Sequence, residues 1–130
     1  MSYIKGGMLL WQDSKTSVAI TGLDGSSKNG KTGPMAQSFI LKRNTPPTYD
    51  VKGAGCKGCP VFEGCYVRWE QAPRQVYKSI KGKRYKVYNG GWKDNAVLDG
   101  IALRVGAAGE PSEMPARKWT ELLSMVKTWT

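Results

Sequence analysis

Short apolar runs alternate with polar or glycine-rich segments along this chain, and their lengths predict strands in the first third. Residues 7–11 are apolar and residues 17–21 are rich in β-branched side chains. The polar residues 12–16 between them fit a hairpin loop. Residues 35–43 form the next apolar run, which predicts a third strand.

Longer patterns follow in the second half of the chain. Residues 66–80 predict a helix in which Pro73 either makes a kink or begins a second helical piece. Residues 96–105 are rich in Val, Leu and Ile and predict a strand. Residues 116–129 predict an amphipathic helix. Its apolar stripe would consist of Trp119, Leu122, Leu123 and Val126.

The order of these elements predicts an α/β fold, with α+β as the alternative. We expect a small sheet that contains a short parallel pair, two main helices and an N-terminal hairpin. The 130 residues fit a single domain. Residues 1–34 would supply the hairpin and a Gly/Lys loop, and residues 35–130 the α/β core.

The charge distribution gives information about the binding partner of the protein and not about its fold. The chain carries 20 basic and 10 acidic residues and no histidine, for a net charge of +10. Of these, 14 basic and only three acidic residues lie between positions 28 and 93. Such a basic segment is typical of a surface that meets phosphates, and a solvated cationic face without a ligand is the alternative.

No secretory signal and no membrane-spanning run is predicted. We therefore expect an intracellular, cytoplasmic protein whose thiols stay reduced. In that setting the three cysteines Cys56, Cys59 and Cys65, which lie within ten residues of a glycine-rich loop, favour a metal centre.

Cys56 and Cys59 have the spacing with which two thiolates chelate one metal, and Cys65 adds a third ligand. A closed zinc site would need a fourth ligand such as Asp50 or Glu63. A four-iron cluster can be held by three thiolates, so three cysteines in a chain without histidine favour an iron–sulfur cluster over zinc. A disulfide with one thiol left over and three unligated thiols remain alternatives.

Three segments of the chain, one of which contains the cysteine motif, together resemble a known family. The segments are 31–34 (Lys-Thr-Gly-Pro), 56–67 with its three cysteines, and 102–111 ending in Gly109-Glu110-Pro111. Together they resemble uncharacterised proteins of phages and plasmids that look like shortened relatives of radical S-adenosylmethionine enzymes. The resemblance covers about residues 31 to 129.

This resemblance implies part of a (β/α) barrel and gives roles to particular residues. Cys56, Cys59 and Cys65 would hold the cluster, and the turn at Gly109 and Glu110 would bind a cofactor. Two departures set this chain apart. The cysteine spacing is two then five residues instead of three then two, and the chain is too short for a barrel of about 250 residues. We therefore expect catalysis to be absent.

Residues 25–32 match the phosphate-loop pattern. Its candidate phosphate-binding residues are Lys28, Gly30, Lys31 and Thr32. Gly33 and Pro34 follow where a helix should begin, so a loop that contacts phosphate is favoured over nucleotide hydrolysis.

The basic segment between residues 74 and 93 contains interleaved aromatic residues, the pattern of a nucleic-acid-binding surface. The candidate binding residues are Arg74, Lys78, Lys81, Lys83, Arg84, Tyr85, Lys86 and Lys93. The alternative is that Tyr77 and Trp92 belong to the core, with solvated lysines around them.

These observations predict a small basic phage-type protein with an iron–sulfur or zinc site. Its expected partner is nucleic acid or a nucleoprotein complex in the host cell, and inhibition of a host defence machine is the sharper form of this hypothesis. The alternative is a minimal enzyme, either radical-type or a phosphate-loop nucleotide hydrolase.

Overall fold

The computed structural model describes residues 7–23, 36–48, 52–54, 67, 69–99 and 101–130. Six strands and three helices lie in these ranges. The strands are β1 (Gly7–Gln12), β2 (Thr16–Thr21), β3 (Ala36–Lys42), β4 (Lys86–Val87), β5 (Ala102–Ala108) and β6 (Thr128–Trp129). The helices are α1 (Ala72–Lys81), α2 (Trp92–Leu98) and α3 (Ala116–Met125).

The strands form one mixed sheet in the order β4-β1-β2-β3-β5-β6. The first three strands are an antiparallel meander, and the pairs β1–β4, β3–β5 and β5–β6 are parallel. The predicted α/β class, hairpin and parallel pair are therefore confirmed. The barrel comparison is not confirmed, because the described sheet is open and contains antiparallel pairs.

The chain reaches β5 by winding around the meander. After β3 it forms α1 on one face of the sheet, adds β4 at the edge beside β1, and forms α2 before it returns beside β3 as β5. The hydroxyl of Ser38 on β3 donates a hydrogen bond to the Arg104 carbonyl of β5 at 3.2 Å. This contact adds to the pairing of the central strands.

Helices cover both faces of the sheet, and this explains why β2 and β3 are buried almost throughout. Successive side chains of a strand point to opposite faces. Ile20 accordingly packs with α2 and α3 in a cluster that includes Leu98 and Leu122. Its neighbour Ala19 packs with Val76 of α1. Strands buried on both faces read as continuous apolar runs.

Three boundaries differ from the sequence prediction. Helix α1 begins at Ala72, with Pro73 in its first turn, so Pro73 starts the helix and does not kink it. The strand predicted over 96–105 is wrong in its first half, because residues up to Leu98 belong to α2. The last helix ends at Met125, and Thr128 and Trp129 form an edge strand.

Candidate functional site

Residues 74–93 contain seven basic residues and no acidic residue, and they run along α1, the turn after it and β4. Lys78 and Lys81 lie in the last turn of α1, where the helix dipole favours positive charge. Lys83 has φ 56°, in the left-handed region, and turns the chain toward β4. The exposed cations of the segment are Lys78, Lys81, Lys83, Arg84 and Lys93. We call the segment 74–93 the basic edge.

The aromatic residues of the basic edge divide into packed and exposed rings. Tyr77 and Tyr85 pack partly buried against the α1 side of the sheet, and Tyr88 packs against the opposite core. Trp92 is 76% exposed, and the Lys93 ammonium lies 5.6 Å from its ring centroid. The alternative that Trp92 is a core residue is therefore wrong, whereas Tyr77 does belong to the core.

Tyr85, a predicted binding residue, is held by its surroundings. Its ring lies against Gly7 so closely that a Cβ at that glycine would come within 3.0 Å of it. Burial raises the pKa of the Tyr85 phenol above its ordinary value of 10.0. A hydrogen bond with Ser79 and the charge of Arg84 act on this pKa in the opposite direction. The packed ring offers less surface for stacking than the indole of Trp92.

Two of the predicted nucleic-acid-binding residues, Lys86 and Arg74, are paired with carboxylates. Lys86 Nζ lies 2.8 Å from Asp94 Oδ1, and the Asp94 side chain is only 1% exposed. Asp94 Oδ2 also accepts a hydrogen bond from the Asn89 backbone N–H at 3.1 Å. Arg74 makes a looser contact of 3.9 Å with Glu70, which lies four residues earlier in the turn before α1. Lys86 thus has a structural role in joining β4 to α2.

The structure adds basic residues that the sequence prediction omitted. Lys81 Nζ donates a hydrogen bond to Asn44 Oδ1 at 2.9 Å, which brings the end of α1 to the segment after β3. There Arg43 Nη1 donates to the Asp13 carbonyl at 2.8 Å, and the Arg43 N–H donates to the Lys15 carbonyl. Lys15 and Arg43 thus extend the cationic surface. Arg43 lies 29 residues and Lys15 57 residues before the start of α1. The basic segment 28–93 of the sequence included Arg43, whereas no sequence pattern pointed to Lys15.

The predicted cofactor turn lies beside the segment that leads into the cysteine loop. Gly109 has φ 89°, and a Cβ there would collide with the Ile40 carbonyl oxygen of β3. The next backbone N–H, that of Glu110, donates to the Ala54 carbonyl at 3.1 Å. The Glu110 carboxylate accepts a hydrogen bond from the Ser112 N–H at 3.2 Å and so caps a short 3₁₀ turn.

The three predicted metal ligands Cys56, Cys59 and Cys65 lie outside the described residues, as do Asp50 and Glu63. The flanks of their loop are described. Trp69 is almost fully buried and packs on Gly53, where a Cβ would come within 2.8 Å of the ring. Among the described residues, the buried indole N–H of Trp69 has no hydrogen-bond partner. A buried donor of this kind normally has a partner.

The predicted phosphate-binding residues Lys28, Gly30, Lys31 and Thr32 also lie outside the described residues. Within the described part of the chain, no group of three His, Cys, Asp or Glu side chains could hold a metal ion.

A small apolar cavity of about 30 Å³ lies between β1 and α3. It is lined by Leu10, Trp11, Tyr88, Met114, Lys118, Glu121, Leu122 and Met125. This volume holds about two water molecules, so it does not fit a nucleotide or an organic cofactor.

Comparisons with protein-family models, curated proteins and solved structures found no match for this chain. None of the described helices has both the length and the apolar character needed to cross a membrane.

Proposed function

We propose that this protein binds nucleic acid, alone or within a nucleoprotein complex, through the basic edge. The observation that carries the proposal is a set of five exposed cations, Lys78, Lys81, Lys83, Arg84 and Lys93, in a segment without acidic residues. Phosphate contacts by such residues release counterions and supply most of the affinity of non-specific binding. The net charge of +10 also favours association with a polyanion.

Charge reversal at the basic edge tests this proposal. The variant carries Lys81→Glu, Lys83→Glu and Arg84→Glu, and its binding to fluorescent DNA and RNA oligonucleotides is followed by anisotropy over a range of salt concentrations. We expect wild-type affinity to fall steeply with salt, and the variant to lose at least tenfold in affinity. The slope of log Kd against log salt should decrease by about two to three, near one per lost phosphate contact.

The matched control carries Arg117→Glu, Lys118→Glu and Lys127→Glu on and after α3, which packs on the opposite face of the sheet from α1. Both variants lower the net charge equally, so a general charge effect would weaken both alike. A neutral variant, with glutamine at positions 81, 83 and 84, separates the loss of contacts from repulsion. Unchanged binding by the basic-edge variant, or equal losses in both charge-reversed variants, would contradict the proposal.

We also propose that the cysteine loop holds a metal centre, with an iron–sulfur cluster favoured over zinc. Two contacts support this proposal. The Glu110 N–H donates to the carbonyl of Ala54, which lies two residues before Cys56. Trp69, which lies four residues after Cys65, packs on Gly53. Both flanks of the loop are thereby joined to the core. Cys56, Cys59 and Cys65 would be the ligands, and Trp69 would offer a buried donor near the site.

Metal analysis after anaerobic purification tests this second function. We expect iron and sulfide with visible absorbance, or zinc without colour, and loss of the metal in the Cys59→Ser variant. A metal-free protein with three titratable thiols would contradict the proposed metal centre.

The resemblance to phage and plasmid proteins supports a cytoplasmic role in the host cell, where binding to nucleic acid or a nucleoprotein complex would block a defence complex.

A further inference from the structure

We propose that Trp92 is a stacking platform for an unpaired base, so that the preferred ligand of the basic edge is single-stranded nucleic acid. This inference rests on the proposed nucleic-acid binding and adds the ligand class and the residue that selects it. It concerns a side chain that the sequence pattern alone left open between core and surface.

The exposure of Trp92 is the first observation. A tryptophan gains more from burial than almost any other side chain, yet 76% of Trp92 remains exposed. Only two other large apolar side chains in the described part of the chain are counted as exposed, Val87 at 62% and Trp129 at 55%. Val87 lacks a ring, and Trp129 lies on β6 at the opposite edge of the sheet. Trp92 is therefore the exposed ring of the basic edge.

Charge complementarity identifies the occupant. The Lys93 ammonium lies 5.6 Å from the ring centroid of Trp92, within the range of a cation–π contact. A base stacked on the free face of the indole would leave its phosphate within reach of this cation and its neighbours. Base–aromatic stacking combined with a cationic track is the common design of proteins that bind single strands.

The surroundings of Trp92 hold it in place and leave room for a ligand. The helix that begins with Trp92 is anchored by buried Asp94 and Leu98. The Tyr88 hydroxyl also donates to Asn95 Oδ1 at 2.7 Å. A Cβ at Gly90, two residues before Trp92, would have no atom within 4 Å, so the turn is open at this point. The exposed ring thus projects from an anchored helix and leaves room for a ligand.

Stacking on a protein ring discriminates between single and double strands because a duplex buries its base faces against one another. Phosphate contacts alone do not make this distinction. Anionic membranes and polyglutamate-like acidic peptides also attract lysines, but neither offers a flat aromatic face for the indole. The observations therefore favour an unpaired base.

The experiment compares Trp92→Ala with wild type on three probes of equal charge. The probes are a single-stranded thymidine oligonucleotide, the same oligonucleotide with abasic sites, and a duplex. We expect Trp92→Ala to weaken single-strand binding by about fivefold to a hundredfold. Duplex binding should change by less than about twofold, and wild type should bind the abasic strand as weakly as Trp92→Ala binds the intact one.

Two further variants serve as controls. Trp92→Phe keeps a smaller ring and should recover part of the affinity. Trp129→Ala removes the exposed indole on the opposite edge, about 24 Å from β4 over five strand spacings, and should leave binding unchanged. Quenching of tryptophan fluorescence by the thymidine strand should be smaller in Trp92→Phe than in wild type.

The outcomes separate this inference from the proposed function. If Trp92→Ala binds single strands like wild type while the basic-edge charge reversal abolishes binding, the stacking inference fails and nucleic-acid binding stands. Equal losses of Trp92→Ala on strand and duplex would also overturn stacking. If wild type binds no nucleic acid but binds anionic vesicles or polyglutamate through Trp92, both proposals fail.

Discussion

The Asp94 carboxylate lies 2.8 Å from Lys86 Nζ and is almost completely buried between the edge strand β4 and helix α2. The same carboxylate accepts a hydrogen bond from the Asn89 N–H. One side chain thus joins β4, the turn after it and α2. Because α2 begins with Trp92, this buried contact also holds the backbone from which the exposed indole projects.

We expect Lys86→Met to destabilise the protein more than Asp94→Asn does. Lys86→Met leaves a buried carboxylate without its cation, whereas Asp94→Asn removes the charge and keeps an acceptor for Asn89. Loss of one partner of a fully buried pair costs about 3–5 kcal/mol. Since the Lys86 side chain is 36% exposed, we expect about 2 kcal/mol, between this cost and the roughly 0–1 kcal/mol of exposed, screened pairs.

Urea unfolding of the two variants and of the double variant measures this coupling. The double variant should lose less free energy of unfolding than the two single variants lose in sum, because it removes both charges together. Strictly additive losses would mean that the two groups do not interact in solution.

Gly109 lets β5 end against β3, and its replacement is expected to be costly. Gly109→Ala places a side chain in the left-handed region and against the Ile40 carbonyl oxygen. We expect a loss of about 3 kcal/mol or more, from about 1–2 kcal/mol of backbone strain and about 1–3 kcal/mol of overpacking.

Gly90→Ala is the matched control for this substitution. Gly90 also has a positive φ, 76°, but its Cβ would have open space around it. Only the backbone strain of about 1–2 kcal/mol should appear. Thermal and urea unfolding measure the stability of both variants. Equal losses of stability would show that the close approach of the Ile40 carbonyl adds no cost at position 109.

The central strands and α1 were predictable from sequence because their patterns agree with their surroundings. Consecutive apolar residues, Val18 to Ile20 in β2 and Phe39 to Leu41 in β3, place apolar side chains on both faces of a sheet that is covered on both faces. Pro73 fits the first turn of a helix, where its missing N–H costs nothing.

The edge elements were not predictable for a physical reason. Helix α2 has seven residues, too few for a helical period to show, and its apolar Val97 and Leu98 continue the pattern of the strand that follows. Strand β4 has two residues. The exposure of Trp92 depends on which face of α2 packs against α3, and this is decided by tertiary contacts. The convergence of Lys15 and Arg43 with Lys81 is likewise a property of the fold.

Tyr85 predicts how stability changes in alkaline solution. Its pKa is raised in the folded protein, chiefly by burial, so the unfolded chain loses this proton first, near pH 10.0. The contribution of Tyr85 is full below that pH and is lost as the pH rises through the raised pKa. Stability should therefore fall above pH 10.0, the ordinary value of this group.

The Tyr85→Phe variant should lose about 1 kcal/mol at neutral pH together with the Ser79 contact, and then decline less steeply than wild type in alkaline solution. Urea unfolding across the alkaline range measures this, with the ultraviolet absorbance of tyrosinate as a second readout. Parallel curves for wild type and variant would contradict the role of Tyr85. Lysine titration is common to both proteins and cancels in the difference.

The hairpin between β1 and β2 should take part in nucleic-acid binding, because the fold brings Lys15 to the end of the basic edge. Lys15 is exposed, and its carbonyl accepts the Arg43 N–H next to the Asn44 side chain that holds Lys81. Lys15→Glu should weaken binding of both single strand and duplex by about threefold to tenfold. It should also decrease the slope of log Kd against log salt by about one, because each phosphate contact contributes near that amount.

Lys127→Glu is the control, since it reverses an exposed charge beside β6 at the opposite edge of the sheet. It should change affinity by less than about twofold. Equal effects of the two substitutions would show that binding follows net charge and not this surface.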